Sequence, residues 1–266
     1  MRYLLLICVY LFSLGCTVKK DMESKITIVE FNSHGQAFSL DTKSIYNIGN
    51  SFEIIFQQDC KLYIVPQIEQ YTKPAFDVNG KIIDVKIVKI DTSYMVFATK
   101  DNNNIGLQYT LNKFRTEKGI SFPVDSLLND LLIGPNNLKY FDYELGRPAT
   151  VVRKNKIRIE KYPITKISPA DSDTICRYYD KSLMEIDFSF SKKLDAKTNS
   201  KLYKKSFICN AIPKGVLYPD IEVPRRELYN EIIRVKEKNL DVYKEIFLKF
   251  KKDATALKIY NFTQFF

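Results

Sequence analysis

Residues 81–90 read KIIDVKIVKI. Ile83, Val85 and Ile87 share one side of an extended chain and Asp84 and Lys86 the other, the two-residue period of a long β-strand. The alternation breaks after Ile87, so the strand carries a bulge or is buried on both sides there. The sequence around it is also strand-like. Lys25–Phe31 (KITIVEF) alternates as an edge or half-buried strand, and Phe52–Phe56 and Leu62–Val65 read as two more, with Gln57–Lys61 as the turn. Tyr94–Thr99 and Ile105–Leu111 flank Asp101-Asn102-Asn103-Asn104, residue types that tolerate the left-handed backbone of a turn. Further strands are expected at Thr150–Arg153 and Lys156–Lys161, joined at Lys154-Asn155, and at Leu183–Phe190 and Leu202–Ala211, joined by the polar loop Ser191–Ser200. The 17 Tyr and 18 Phe suit strands as well.

Two segments change period. In VDSLLNDLLI (124–133), Leu127, Leu128, Leu131 and Leu132 form a helical stripe that Asp125 or Ser126 caps and Gly134-Pro135 stops. Near the end of the chain, Pro224 suits a first helical turn. Leu228, Ile232 and Val235 begin a stripe that Leu240, Tyr243, Phe247, Phe250, Ala254 and Leu257 continue. The five-residue step from Val235 to Leu240 implies a kink or helix–turn–helix near Lys238-Asn239, Glu245 and Lys249 form an exposed i,i+4 pair, and YNFTQFF reads as an apolar tail. The fold class is α+β: a predominantly antiparallel β-sheet or sandwich, with one short central helix and a long C-terminal helix packed on it. Residues 25–134, 135–222 and 223–266 are its three regions, within one large domain or two small ones.

The N-terminus is a separate unit. Arg2 precedes Tyr3–Phe12, ten uncharged residues that suit a secretory h-region and are too short to span a bilayer, which takes about 20. Ser13 and Gly15, at −3 and −1 relative to Cys16, suit ordinary signal cleavage. Gly15-Cys16 after an apolar run also resembles the lipobox of bacterial lipoproteins, with Ser13 and Leu14 in swapped order. That resemblance implies a diacylglycerol on the Cys16 thiol, cleavage before Cys16, acylation of the new N-terminus, and a place in the bacterial cell envelope on the periplasmic or surface side. Three acyl chains hold a protein stably where one does not. Residues 17–24 (TVKKDMES) read as a tether, and their basic-then-acidic order is similar to the export signals of some Bacteroidota surface lipoproteins. Removing residues 1–15 leaves 251 of 266, and loss of Arg2 takes the formal charge from +10 to +9. The basic residues are scattered and lack a stacking motif, so they describe a solvated surface, or one drawn to anionic head groups or acidic glycans, and not a nucleic-acid site.

Few residues suggest chemistry. Cys60, Cys176 and Cys209 all sit in apolar surroundings, as buried thiols do, and a Cys176–Cys209 bridge between neighbouring strands is the best disulfide candidate. His34, the single histidine, lies in the polar stretch NSHGQ, read as an exposed turn. No cofactor motif, metal-ligand spacing or nucleophile elbow is present in the sequence. Asp171 with Asp173, and Asp84 with Asp91, are candidate acid pairs by their proximity in sequence. These features favour a lipid-anchored binding or accessory protein, membrane-bound and holding an envelope glycan, peptide or membrane-protein partner. The alternative is a glycan-directed hydrolase using two carboxylates about 5–10 Å apart.

Overall fold

The computed structural model describes residues 25–263 apart from Asn79 and Glu237, with the side chains of Ile83 and of residues 257–263 also left out. Eleven strands form one antiparallel sheet: β1 (Thr27–Ser39), β2 (Ser44–Gln57), β3 (Cys60–Phe76), β4 (Ile82–Lys100), β5 (Ile105–Thr110), β6 (Ile120–Pro123), β7 (Thr150–Lys154), β8 (Ile157–Pro163), β9 (Thr174–Asp180), β10 (Lys201–Cys209) and β11 (Arg226–Arg234). Their spatial order is β6-β5-β4-β3-β2-β1-β11-β10-β9-β8-β7. Four helices accompany them: α1 (Val124–Asp130), α2 (Pro135–Leu138), α3 (Lys192–Thr198) and α4 (Leu240–Thr263). The sheet-rich α+β class stands, as a single sheet and not a sandwich.

KITIVEF and SFEIIF are apolar at successive positions because both faces of the sheet are buried at its centre. Val29, Phe31, Phe52, Ile54 and Tyr63 point to one face, where α1, Phe141, Ile186, Phe190 and Leu194 cover them. Ile28, Ile55, Leu62, Ile64, Val96 and Ala98 point to the other, under Tyr243, Ile246, Phe247 and Phe250 of α4. β1 is therefore not an edge strand: it pairs with β2 on one side and β11 on the other.

Several local expectations are overturned. Leu228, Ile232 and Val235 do not lie on a helix. Residues 226–234 form β11, inserted between β1 and β10, where two flanking ladders override the helical propensity of a Glu-, Leu- and Arg-containing segment. Leu183–Phe190 is not a strand, because Ile186 and Phe190 alternate only by packing onto the sheet after a 3-10 turn at Lys181–Leu183. Ser191–Ser200 is not a loop. It holds α3, whose start is capped by Ser191 Oγ accepting from Leu194 N at 3.0 Å and whose end is Asn199 at φ 49°. In α1 the N-cap is Pro123 with no side-chain cap, so neither Asp125 nor Ser126 caps it; the helix ends with Leu131 as C-cap and Leu132 at φ 60°, ahead of Gly134, which is the N-cap of α2. Glu245 pairs with Arg115, and Lys249 with Asp253.

Truncating Phe31 or Phe247, each about 1% exposed or less, to Ala is expected to cost about 3–5 kcal/mol in urea unfolding. Ile87→Ala, at 54% exposure, is expected to cost within about 0.5 kcal/mol.

Candidate functional site

The β3–β4 hairpin runs far beyond the body of the sheet. β2 leaves β3 after the Glu53–Ile64 pair, and β5 meets β4 only at Met95–Ala98, so residues 66–92 form a two-stranded arm with both edges unpaired. Its tip is closed by Asp77, whose carboxylate accepts from Lys81 N at 2.8 Å, and by Gly80 at φ 79°. Two register shifts occur, opposite Val88 and Ile83; the first is the bulge offered by the broken alternation after Ile87, and the second had no sequence signal.

The register divides the arm into two unlike faces. Pro66↔Tyr94, Ile68↔Thr92, Gln70↔Ile90, Thr72↔Ile87, Pro74↔Val85 and Phe76↔Ile82 continue the row of Ile64↔Val96. This face has no charged residue, and Ile68, Phe76, Ile82, Val85, Ile87, Ile90 and Tyr94 are all exposed. Glu69↔Asp91, Tyr71↔Lys89, Lys73↔Lys86 and Ala75↔Asp84 make the opposite face. There Tyr71 donates to Glu69 at 2.8 Å, Lys89 to Asp91 at 2.5 Å, and Lys89 lies 5.4 Å from the Tyr71 ring centre. Asp84 and Asp91 are thus parts of a charged surface.

A second feature lies at the other end of the sheet. Arg158, Glu160 and Tyr162 alternate along β8 and Arg177 and Tyr179 along β9, with Arg158 beside Tyr179 and Glu160 beside Arg177. With Arg147, Lys193, Lys197 and Glu144 they line a cavity of about 380 Å³. Arg177, 3% exposed, donates through Nη2 to the carbonyls of Phe141 and Tyr143 and so fastens the overlying loop. Next to it on β10, Lys205 donates to Tyr140 O at 2.5 Å. Burial, and then the Arg177 charge, push the Lys205 ammonium down to about 8.

The candidates from sequence fall apart in space. Cys16 lies outside the described residues. Cys60, Cys176 and Cys209 are buried and free, which corrects the expected Cys176–Cys209 bridge. Cys176 faces Ser206, and Cys209 is three residues further along, about 10 Å away and on the opposite face. Burial and the neighbouring Asp59 push the Cys60 thiol up to about 11. His34 is not in a turn. It sits within β1, stacked on Tyr229 at 5.0 Å. Cys176 shares its row, Cys176–Ser206–Tyr229–His34, three strand spacings or about 14 Å away, too far for a thiol–imidazole pair. Asp171 accepts from Ile167 N and Ser168 N, and Asp173 from Lys166 and Asn210 N, so both acids hold loops. No group of three or more potential metal ligands occurs among the described residues, and no helix among them is long and apolar enough to cross a membrane.

Sequence reasoning missed the arm's reach and the pocket. The alternation of 81–90 carried the first. The second had a faint signal in Arg158-x-Glu160-x-Tyr162, whose partner strand went unread. Comparison with known proteins finds no matching family model and no matching curated protein.

The low Lys205 position fixes a pH effect. In the unfolded chain this lysine keeps its proton to about pH 10.4, whereas in the fold it loses it near 8. The unfolded state therefore binds more protons between those values, and stability rises with pH there. Urea unfolding from pH 7 to 10 is expected to show this rise, and Lys205→Met to flatten it.

Proposed function

We propose that the chain is a lipid-anchored binding protein of the bacterial envelope that holds a protein partner on the apolar face of its arm. The arm itself carries this reading. A two-stranded ribbon is marginal alone in water, and this one leaves a charge-free face of seven exposed large side chains between two unpaired edges. Such a surface takes up either another apolar face or an added strand. The Cys16 anchor adds a direction. Lys25 and the Gln58-Asp59 turn stand at one end of the strands and the arm's tip at the other. Nine residues from Cys16 to Lys25 reach at most about 30 Å, so the arm points away from the bilayer. Beside the arm's root, α4 places Tyr243, which donates to Glu53 at 2.8 Å, near Pro66 and Tyr94. The C-terminal helix thus braces the arm where it leaves the sheet.

A carboxylate hydrolase is the weaker reading. The pocket's two acids are both engaged, Glu160 by Arg158 and Tyr162 and Glu144 by Lys193, which holds its carboxyl below the usual range. Glu144 thus does not resemble a general acid kept protonated by burial.

Photo-crosslinking residues placed in the full chain in cells at Val85 and Ile87 are expected to give one discrete protein adduct, with none from Lys86 or Asp84. Val85→Glu combined with a crosslinker at Ile87 should cut the yield about tenfold, since burying an unpaired carboxylate costs more than about 1.4 kcal/mol. Absence of an adduct from the apolar face would overturn the arm's role. The anchor is tested separately by intact mass of membrane-extracted protein. Unmodified Cys16, or unchanged membrane partition of Cys16→Ser, would refute lipidation.

A further inference from the structure

The cationic pocket has more donors than the protein itself uses. Arg147, Arg158, Arg177, Lys193 and Lys197 meet only two carboxylates there, Glu144 and Glu160. Those two are already paired, with Lys193 at 2.7 Å and with Arg158. Glu160 also accepts from Tyr162 at 2.6 Å. The Arg177 Nη2 is taken by two loop carbonyls. What remains is directional. Arg158 Nε and Arg177 Nε are both buried without an acceptor. Arg147 and Lys197 stand exposed at the rim.

Buried guanidinium N–H groups are ordinarily satisfied, and a planar guanidinium matches the oxygens of a carboxylate, phosphate or sulfate better than any other partner. The residue carrying the deepest unused donor, Arg177, is 3% exposed and clamped between its loop carbonyls and the Tyr162 ring, 5.4 Å away. It is held in place before any ligand arrives, which lowers the cost of binding. A cavity of about 380 Å³ is within the range of small-molecule sites.

We propose that this pocket binds the oxyanion group of a small ligand, with Arg158 and Arg177 as its floor and Arg147 and Lys197 as its rim. The ligand's anionic group completes the two free Nε donors, and the rim cations draw it in. The arm plays no part, so the two sites are separable.

The test titrates the full chain in detergent with sodium phosphate, sodium sulfate and sodium galacturonate, with galactose as the uncharged control. Ionic strength is held constant because scattered surface cations also attract anions at low salt. At least one oxyanion is expected to bind saturably at a single site, and galactose not at all. Arg147→Glu with Lys197→Glu, both exposed, should leave the ligand-free melting temperature unchanged and weaken binding at least about tenfold. Arg147→Ala alone serves if the double variant does not fold, with a smaller loss in the same direction. A preference for galacturonate identifies an acidic sugar and a preference for phosphate a phosphorylated ligand, and either supports the site. No saturable binding of any of the three, or full-strength binding by the rim variants, would overturn it. Val85→Glu in the arm is expected to bind the oxyanion like the unaltered chain, so failure of one site leaves the other standing.

Discussion

β1 is hydrogen-bonded along both edges and buried on both faces. Its partners are β2, next in sequence, and β11, from nearly 200 residues later. Strands β2–β6 reach the rest of the sheet only through β1, and β7–β10 only through β11. The β1–β11 ladder therefore joins two halves of the sheet that also share a core, in which Phe52 and Tyr63 pack in one cluster with Tyr179, Phe190 and Leu202. Two-sided burial has a consequence for register. A one-residue slip would exchange Ile28 for Val29 and Ile54 for Ile55, apolar for apolar, so patterning alone holds the register weakly. Short turns supply the constraint. Gln58-Asp59 closes β2 onto β3 with Gln58 at φ 56°, and the β1–β2 turn has Lys43 at φ 51°.

The same two strands that lie at the heart of the core also make the arm. Along β3 and β4, Ile64 and Val96 are buried under α4, and a few residues on, the same row is open to solvent. What changes is the cover and not the chemistry of the row, because α4 starts beside Glu53 and runs the other way, toward Gln58. The opposite row changes from Tyr63 and Phe97, packed in the other core, to paired charges. That change makes the arm amphipathic and keeps one of its faces compatible with water.

The far half of the sheet is built on polar groups. Glu160, Arg177, Asp195, Lys201 and Lys205 are all buried. Asp195 accepts from Leu202 N and Ser189 Oγ, each at 2.7 Å, and meets Lys201 at 3.3 Å, tying α3 to β10. Buried pairs contribute little net stability, while losing one member is costly. This half thus depends on polar pairing where the other depends on packing; Arg158 Nε and Arg177 Nε are left unfilled in the pocket, and Ser206 Oγ and the Arg226 Nε and Nη2 are left unfilled outside it.

Local signals were strong wherever one short stretch makes its own contacts. KIIDVKIVKI announced a strand with a bulge after Ile87, the Asn-rich turn at 101–104 and the α1 stripe were readable, and the stripe from Leu240 to Phe250 marked the buried side of α4. Segments whose conformation is set by distant partners were misread. Leu228 and Ile232 keep helical spacing but lie in β11, because β1 and β10 offer ladders on both sides. Ile186 and Phe190 alternate because the sheet lies beneath them. The polar run at 191–200 became α3 through one cap and the buried Asp195. The sequence by itself determined a β-rich fold with a helical C-terminus. Only the tertiary structure decided that residues 66–92 stand free and that Arg158 and Arg177 line one pocket from neighbouring strands, because cover and cross-strand neighbours are properties of the assembled sheet.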